Sequence, residues 1–151
     1  FDLRVSGEQQ VSSGLKLEAA SFENVTIKAA DDSISGNVSG NWANNTVHLD
    51  GISGSVSTFD GDDTIFIENG ASDIWTGNGS DLLFVNGNLN AATVHDFEIG
   101  KDKISVSDEL DYTVEHKGWG SILTVETGGK MYIRGAQIEA DDFADSLEFF
   151  V

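Results

Sequence analysis

From Asp32 to Val85 the chain aligns with itself in frames of eighteen residues, without a gap. The segments opening Asp32-Ser-Ile-Ser-Gly-Asn-Val-Ser and Asp50-Gly-Ile-Ser-Gly-Ser-Val-Ser are close copies, and a weaker copy opens Glu68-Asn-Gly-Ala-Ser-Asp-Ile-Trp. The apolar columns keep register: Val38, Val56 and Ile74; Val47, Ile65 and Leu83; Leu49, Ile67 and Val85. A fixed period of this length marks a repeat architecture in which each unit buries its apolar face only against its neighbours. Each frame holds two short alternating runs separated by Gly, Asn and Asp, hence two short strands to a coil. The expected fold is all-β, a right-handed parallel β-roll or β-solenoid with eighteen-residue coils, capped by C-terminal antiparallel strands. An antiparallel meander also spaces short strands evenly, but it does not require polar positions to repeat every eighteen residues.

Those polar positions point to a cation. Asn45, Asp63 and Asp81 share the period, and residues one coil apart in a parallel stack sit about 4.8 Å apart. At an effective dielectric near 20, two unit charges 4 Å apart repel by roughly 4 kcal/mol, so stacked carboxylates call for a positive charge between the coils. The runs Thr58-Phe-Asp-Gly-Asp-Asp63 and Thr76-Gly-Asn-Gly-Ser-Asp81 are turn-prone, and their glycines allow carbonyls to point inward. Carboxylate and carbonyl oxygens are hard ligands suited to Ca2+. The expected metal site uses Asp63 and Asp81, with Asp60 and Asn78 as equivalent positions one coil apart and Gly61 and Gly79 in the same turns. Asp73, with Ser55 and Ala91 as its expected column partners, is a further candidate, as are Asp96 and Asp102.

Thr76-Gly-Asn-Gly-Ser-Asp-Leu-Leu-Phe resembles the repeats-in-toxin nonapeptide, G-G-x-G-x-D-x-U-x, which folds as a calcium-binding parallel β-roll. Thr58-Phe-Asp-Gly-Asp-Asp-Thr-Ile-Phe is a looser match, with Phe59 in place of the second glycine, and both begin with Thr instead of the first. Val94-His-Asp-Phe-Glu-Ile-Gly-Lys-Asp-Lys-Ile104 is similar to the D-F-x-x-G-x-D-x-I segment that follows the roll in secreted bacterial exoproteins of this family. Asp142-Phe-Ala-Asp-Ser-Leu-Glu-Phe-Phe-Val151 looks like their C-terminal signal. The resemblance implies a calcium-dependent folding and export module, secreted or at the cell surface, whose tail is read by a type I export machinery. Any catalytic domain would lie upstream. The departures, including Asn45 where a carboxylate belongs, imply fewer calcium sites than in a long regular roll.

Charge and composition agree with this. With 26 acidic against 8 basic residues the formal charge is -18, which excludes nucleic acid as an expected partner because phosphate backbones need clustered Lys or Arg. No apolar run approaches a membrane span. Cysteine and proline are both absent, leaving no disulfide or thiolate site and no slow prolyl isomerisation. No nucleophile motif surrounds His48, His95 or His116, so the chain is not expected to be an enzyme. The alternatives are a polysaccharide- or surface-binding module, similar to the accessory modules of alginate-modifying enzymes, and a catalytic β-helix lyase or epimerase. Trp119, between Gly118 and Gly120, is the aromatic residue expected to face a ligand.

In chain order, the expectation is one domain over 1–151. Residues 1–31 are leading strands or a cap, built on Leu3/Val5, Leu15/Leu17 and Val25/Ile27. Residues 32–90 are the repeat coils, and 91–151 are the C-terminal cap and secretion-signal-like tail. The opening Phe1-Asp-Leu-Arg-Val5 already alternates, without a basic segment leading into an apolar one, and reads as part of a longer protein. Ala91 to Phe97 is expected to form the final rung, Lys101 to Val106 a strand, and Thr127-Gly-Gly-Lys130 a hairpin turn between alternating runs.

Overall fold

A computed structural model describes residues 16–20, 24–28, 34–87 and 89–144. The chain winds as a parallel β-solenoid, and the eleven strands among the described residues are hydrogen-bonded into one continuous sheet. The strands are β1 (Lys16–Ala20), β2 (Asn24–Lys28), β3 (Ile34–Ser39), β4 (Thr46–Ser57), β5 (Thr64–Trp75), β6 (Leu82–Val85), β7 (Ala92–Val94), β8 (Lys103–Val106), β9 (Tyr112–Lys117), β10 (Gly120–Val125) and β11 (Lys130–Arg134). Of the leading pairs, Leu17, Val25 and Ile27 fall in β1 and β2, whereas Leu3, Val5 and Leu15 lie outside the described residues.

The repeat sets the register. Val47 pairs with Ile65 and Ile65 with Leu83, and Val38 pairs with Val56 and Val56 with Ile74, as the eighteen-residue columns require. β-branched side chains dominate these columns because they suit a pleated surface packed on one side. Val47, Ile65, Ile74 and Leu83 are completely buried. One detail differs from expectation. β4 and β5 are each a single strand of 12 residues, bent at a corner where Glu68 and Gly51 are skipped in the pairing. The two bulges cancel, so the period survives the corner. The open turn occurs once per coil, at 40–45, 58–63 and 76–81.

Beyond Val85 the period lengthens but the stacking continues. β8 adds to β6, Leu83 opposite Ile104, and β7 adds to β5, Ile74 opposite Val94. The β7 rung is not the last, because β11 stacks on it in parallel, Ile133 opposite Val94. β9, β10 and β11 form the expected antiparallel cap, with β10 between its neighbours. Leu123, Met131, Ile133 and Ile138 of the cap share one hydrophobic cluster with the coils. Residues 140–142 form a single 3-10 turn, and Phe143 and Ala144 run beside Ile104, covering the edge of β8.

Replacing Ile65, 0% exposed at the centre of its column, by Ala should cost about 2–5 kcal/mol. Urea unfolding checks this, and a loss under about 1 kcal/mol would mean that the coils do not share a tightly packed core.

Candidate metal centre

The turns at 40–45, 58–63 and 76–81 stack directly on one another. Asn78 N–H donates to Phe59 O at 3.0 Å and Gly61 N–H to Asn78 O at 2.9 Å. Such close approach constrains the glycines: a Cβ on Gly77 would lie 1.4 Å from Phe59 O, and one on Gly79 would lie 2.0 Å from Gly61 O. Phe59 holds φ at 74° even without glycine's freedom, a conformation that costs an L-residue roughly 1–2 kcal/mol.

At the end of each turn a polar side chain points inward. Asn45, Asp63, Asp81 and Asp102 are all buried. The expected stack of Asp63 and Asp81 is present, and its geometry adds something that spacing alone did not reveal. Each carboxylate reaches back to the previous coil: Asp63 Oδ1 accepts Asn45 N–H at 2.7 Å, and Asp81 Oδ1 accepts Asp63 N–H at 2.8 Å. Asp102 Oδ1 accepts Asp81 N–H at 3.1 Å, and its Oδ2 accepts Glu98 N–H at 2.7 Å. Asp102 therefore continues the column after a longer loop. The second oxygens of Asp63 and Asp81 are buried without a partner among the described residues.

The other expected residues divide into two groups. Asp60 and Asn78 form a bridge between adjacent turns, with Asn78 Nδ2 donating to Asp60 Oδ1 at 2.8 Å, and Gly61 and Gly79 occupy the same pair of turns. Asp96 caps the turn of the coil before it, its two oxygens accepting Thr76 and Gly77 N–H groups at 3.0 Å each. Asp73 is not brought into the turns. It lies exposed on the outer face of β5, pairs with Thr93 where Ala91 was expected, and contacts His95. The coil at that point is two residues longer than the repeat, which shifts the partner. Trp119 is exposed in the β9–β10 turn, on the outer face of the sheet.

Thr58 and Thr76, which break the nonapeptide pattern, are fully buried, and Thr58 Oγ1 donates to Thr76 O at 2.9 Å. Their eighteen-residue spacing was visible in the sequence, and it marks a second internal ladder beside the carboxylates. Compared with known proteins, the chain matches no family model and no curated protein.

Removal from water dominates the electrostatics. Burial raises the Asp81 carboxyl to about 7, with the negative charges of Asp102 and Asp63 adding to the rise, while the Asp63 N–H and Thr76 oppose it. Burial likewise pushes Asp63 and Asp102 up against the N–H groups that they accept. Among the described residues no three carboxylates or imidazoles converge. An ion in these turns would therefore be held by the free oxygens of Asp63 and Asp81 together with amide or carbonyl oxygens. These are hard donors of the kind that Ca2+ takes, and among the described residues no Lys or Arg is buried with them.

The sign of the pH dependence follows. A carboxyl raised from 3.8 to about 7 on folding favours the folded state when protonated, so this contribution is whole below about pH 4 and is lost as pH rises through about 7. The melting temperature of the metal-free protein should fall from about pH 4 to about pH 8, and less steeply in Asp81→Asn. A metal-free melting temperature that climbs across this window would contradict the assignment.

Proposed function

We propose that this chain is a calcium-binding β-roll module that drives calcium-dependent folding and secretion of a larger extracellular protein, in the manner of the repeats-in-toxin family it resembles. The observation that carries the reading is the pair of buried, unpartnered oxygens on Asp63 and Asp81. An unpaired buried charge is costly. Here the carboxylates recur on successive coils, so a proton or a cation must offset the charge. Bound calcium would supply that positive charge. Asp63 and Asp81 would hold it with their second oxygens while keeping their first oxygens on the backbone of the coil before.

The same arrangement explains how export and folding could be separated. Stacking the turns brings the carboxylates together, and the net charge of -18 opposes compaction where the ion is scarce. A ligand at a hundredfold its dissociation constant stabilises the state that binds it by about 2.7 kcal/mol per site, a sizeable part of a small domain's stability. Where calcium is plentiful the coils close. The C-terminal tail is the proposed signal for a type I exporter. Its last seven residues, 145–151, lie outside the described residues, while Phe143 and Ala144 lie along β8.

Substituting Asn at Asp81 tests the reading, since an amide oxygen can still accept Asp63 N–H but carries no charge. Metal-free Asp81→Asn should melt above metal-free wild type at pH 8, and calcium should raise its melting temperature far less than that of wild type. An equal calcium response in the two proteins would refute the site, and a wild type indifferent to both calcium and chelator would refute calcium-dependent folding.

A further inference from the structure

The outer face of the sheet carries a second constellation that the carboxylate column does not use. Across β5, β7 and β11, Asp73 pairs with Thr93 and Thr93 with Tyr132. Beside them Trp75 stacks on His95, with ring centroids 4.3 Å apart and planes 6° from parallel. His95 Nε2 lies 2.8 Å from Asp73 Oδ1, which fixes the imidazole in that stack. Past β7, the guanidinium of Arg134 lies 5.9 Å from the ring centre of Trp119. Trp119 is in turn 6.2 Å from Tyr132. The result is a continuous strip running from Trp75 to Trp119, across strands that are neighbours in the sheet.

Both tryptophans remain open to solvent, Trp75 at 38% and Trp119 at 45% exposure. Each is nevertheless held in place by a partner, His95 or Arg134, which limits the entropy lost when a ligand docks. Next to Trp75 runs an open groove of about 330 Å³ lined by Asn37, Ser55, Asp73 and Thr93. Within that lining Ser55 Oγ donates to Asn37 Oδ1 at 2.9 Å. Flat apolar rings beside a row of hydroxyl, amide and carboxylate groups match the two surfaces of a pyranose: C–H faces for the rings, and hydroxyls for the polar row.

We propose that this face binds a neutral polysaccharide laid across the strands, from the Asn37–Asp73 groove over Trp75 to Trp119. The tryptophans are separated by three interstrand steps, roughly 14 Å, the reach of a short oligosaccharide. Charge selects among glycans. A protein of net charge -18 repels polyanions, and the strip offers little to offset this, because its one Arg already faces Trp119. A neutral chain meets no such barrier. The proposal requires folded coils but not the cation itself, so its failure can be told apart from failure of the calcium reading.

The test is native affinity electrophoresis in calcium, with circular dichroism on the same samples confirming the β fold. Gels contain a soluble β-glucan, a galactomannan, a dextran or, as the anionic comparison, alginate. At least one neutral polymer should retard the wild type. Trp75→Ala and Trp119→Ala should each weaken that retardation about tenfold. Trp42→Ala, on a turn and 82% exposed, should leave it unchanged. The proposal is overturned if the folded protein is retarded by no neutral polymer, if only alginate retards it, or if both strip variants bind like wild type.

Discussion

The hydrogen bond from a backbone N–H to the carboxylate of the next coil is the interaction on which the architecture of the turns rests. A parallel solenoid satisfies its backbone in the strands by ladder pairing, but a turn leaves N–H groups facing inward. Here Asn45, Asp63 and Asp81 donate these to Asp63, Asp81 and Asp102 in sequence. Each aspartate thus seals the turn below its own. The cost is a buried charge, and the unpartnered second oxygens of Asp63 and Asp81 show where that cost accumulates. In the proposed function, sealing the turn and holding the ion are two uses of one carboxylate.

The ends of the solenoid require different solutions from its middle. At the first described turn Asn45 replaces the aspartate and bonds within its own loop, Oδ1 accepting Asn41 N–H at 2.9 Å and Nδ2 donating to Ala43 O at 2.6 Å. A neutral amide suffices there. At the far end the loops lengthen, and Asp96 and Asp102 take over the capping of Thr76, Gly77 and Asp81. The antiparallel cap pairs with β7 through β11, while Phe143 and Ala144 run along β8, so the edges of the last two parallel rungs are covered.

Most of the coil interior was legible in the sequence because its information is periodic. Val47, Ile65 and Leu83 announce their contact by spacing, and Gly128-Gly129 between alternating runs announces the hairpin. The bent single strands were not legible, since the corner at Gly51 and Glu68 keeps hydrogen bonding through two cancelling bulges that leave no trace in the period. The partner of Asp73 was missed because the coil after it is longer by two residues. For the site, the sequence placed Asp63 and Asp81 together but gave no sign that half of each carboxylate is taken up by the backbone. It also presented Thr58 and Thr76 as departures from a pattern, whereas they are buried members of their own ladder. The aromatic strip draws on Trp75, His95, Arg134 and Trp119, which are scattered along the chain and meet only once the sheet order is known.

The central claim is that the carboxylate column and the cation form one cooperative unit. Amide hydrogen exchange at Asn45, Asp63 and Asp81 reads it most directly, because these N–H groups donate to the column itself. Comparing the metal-free protein with the calcium-loaded one at neutral pH, the account predicts that protection of all three rises together on adding calcium, and by more than protection in the antiparallel cap. Equal protection at these amides with and without calcium would show that the column closes unaided, and would contradict it.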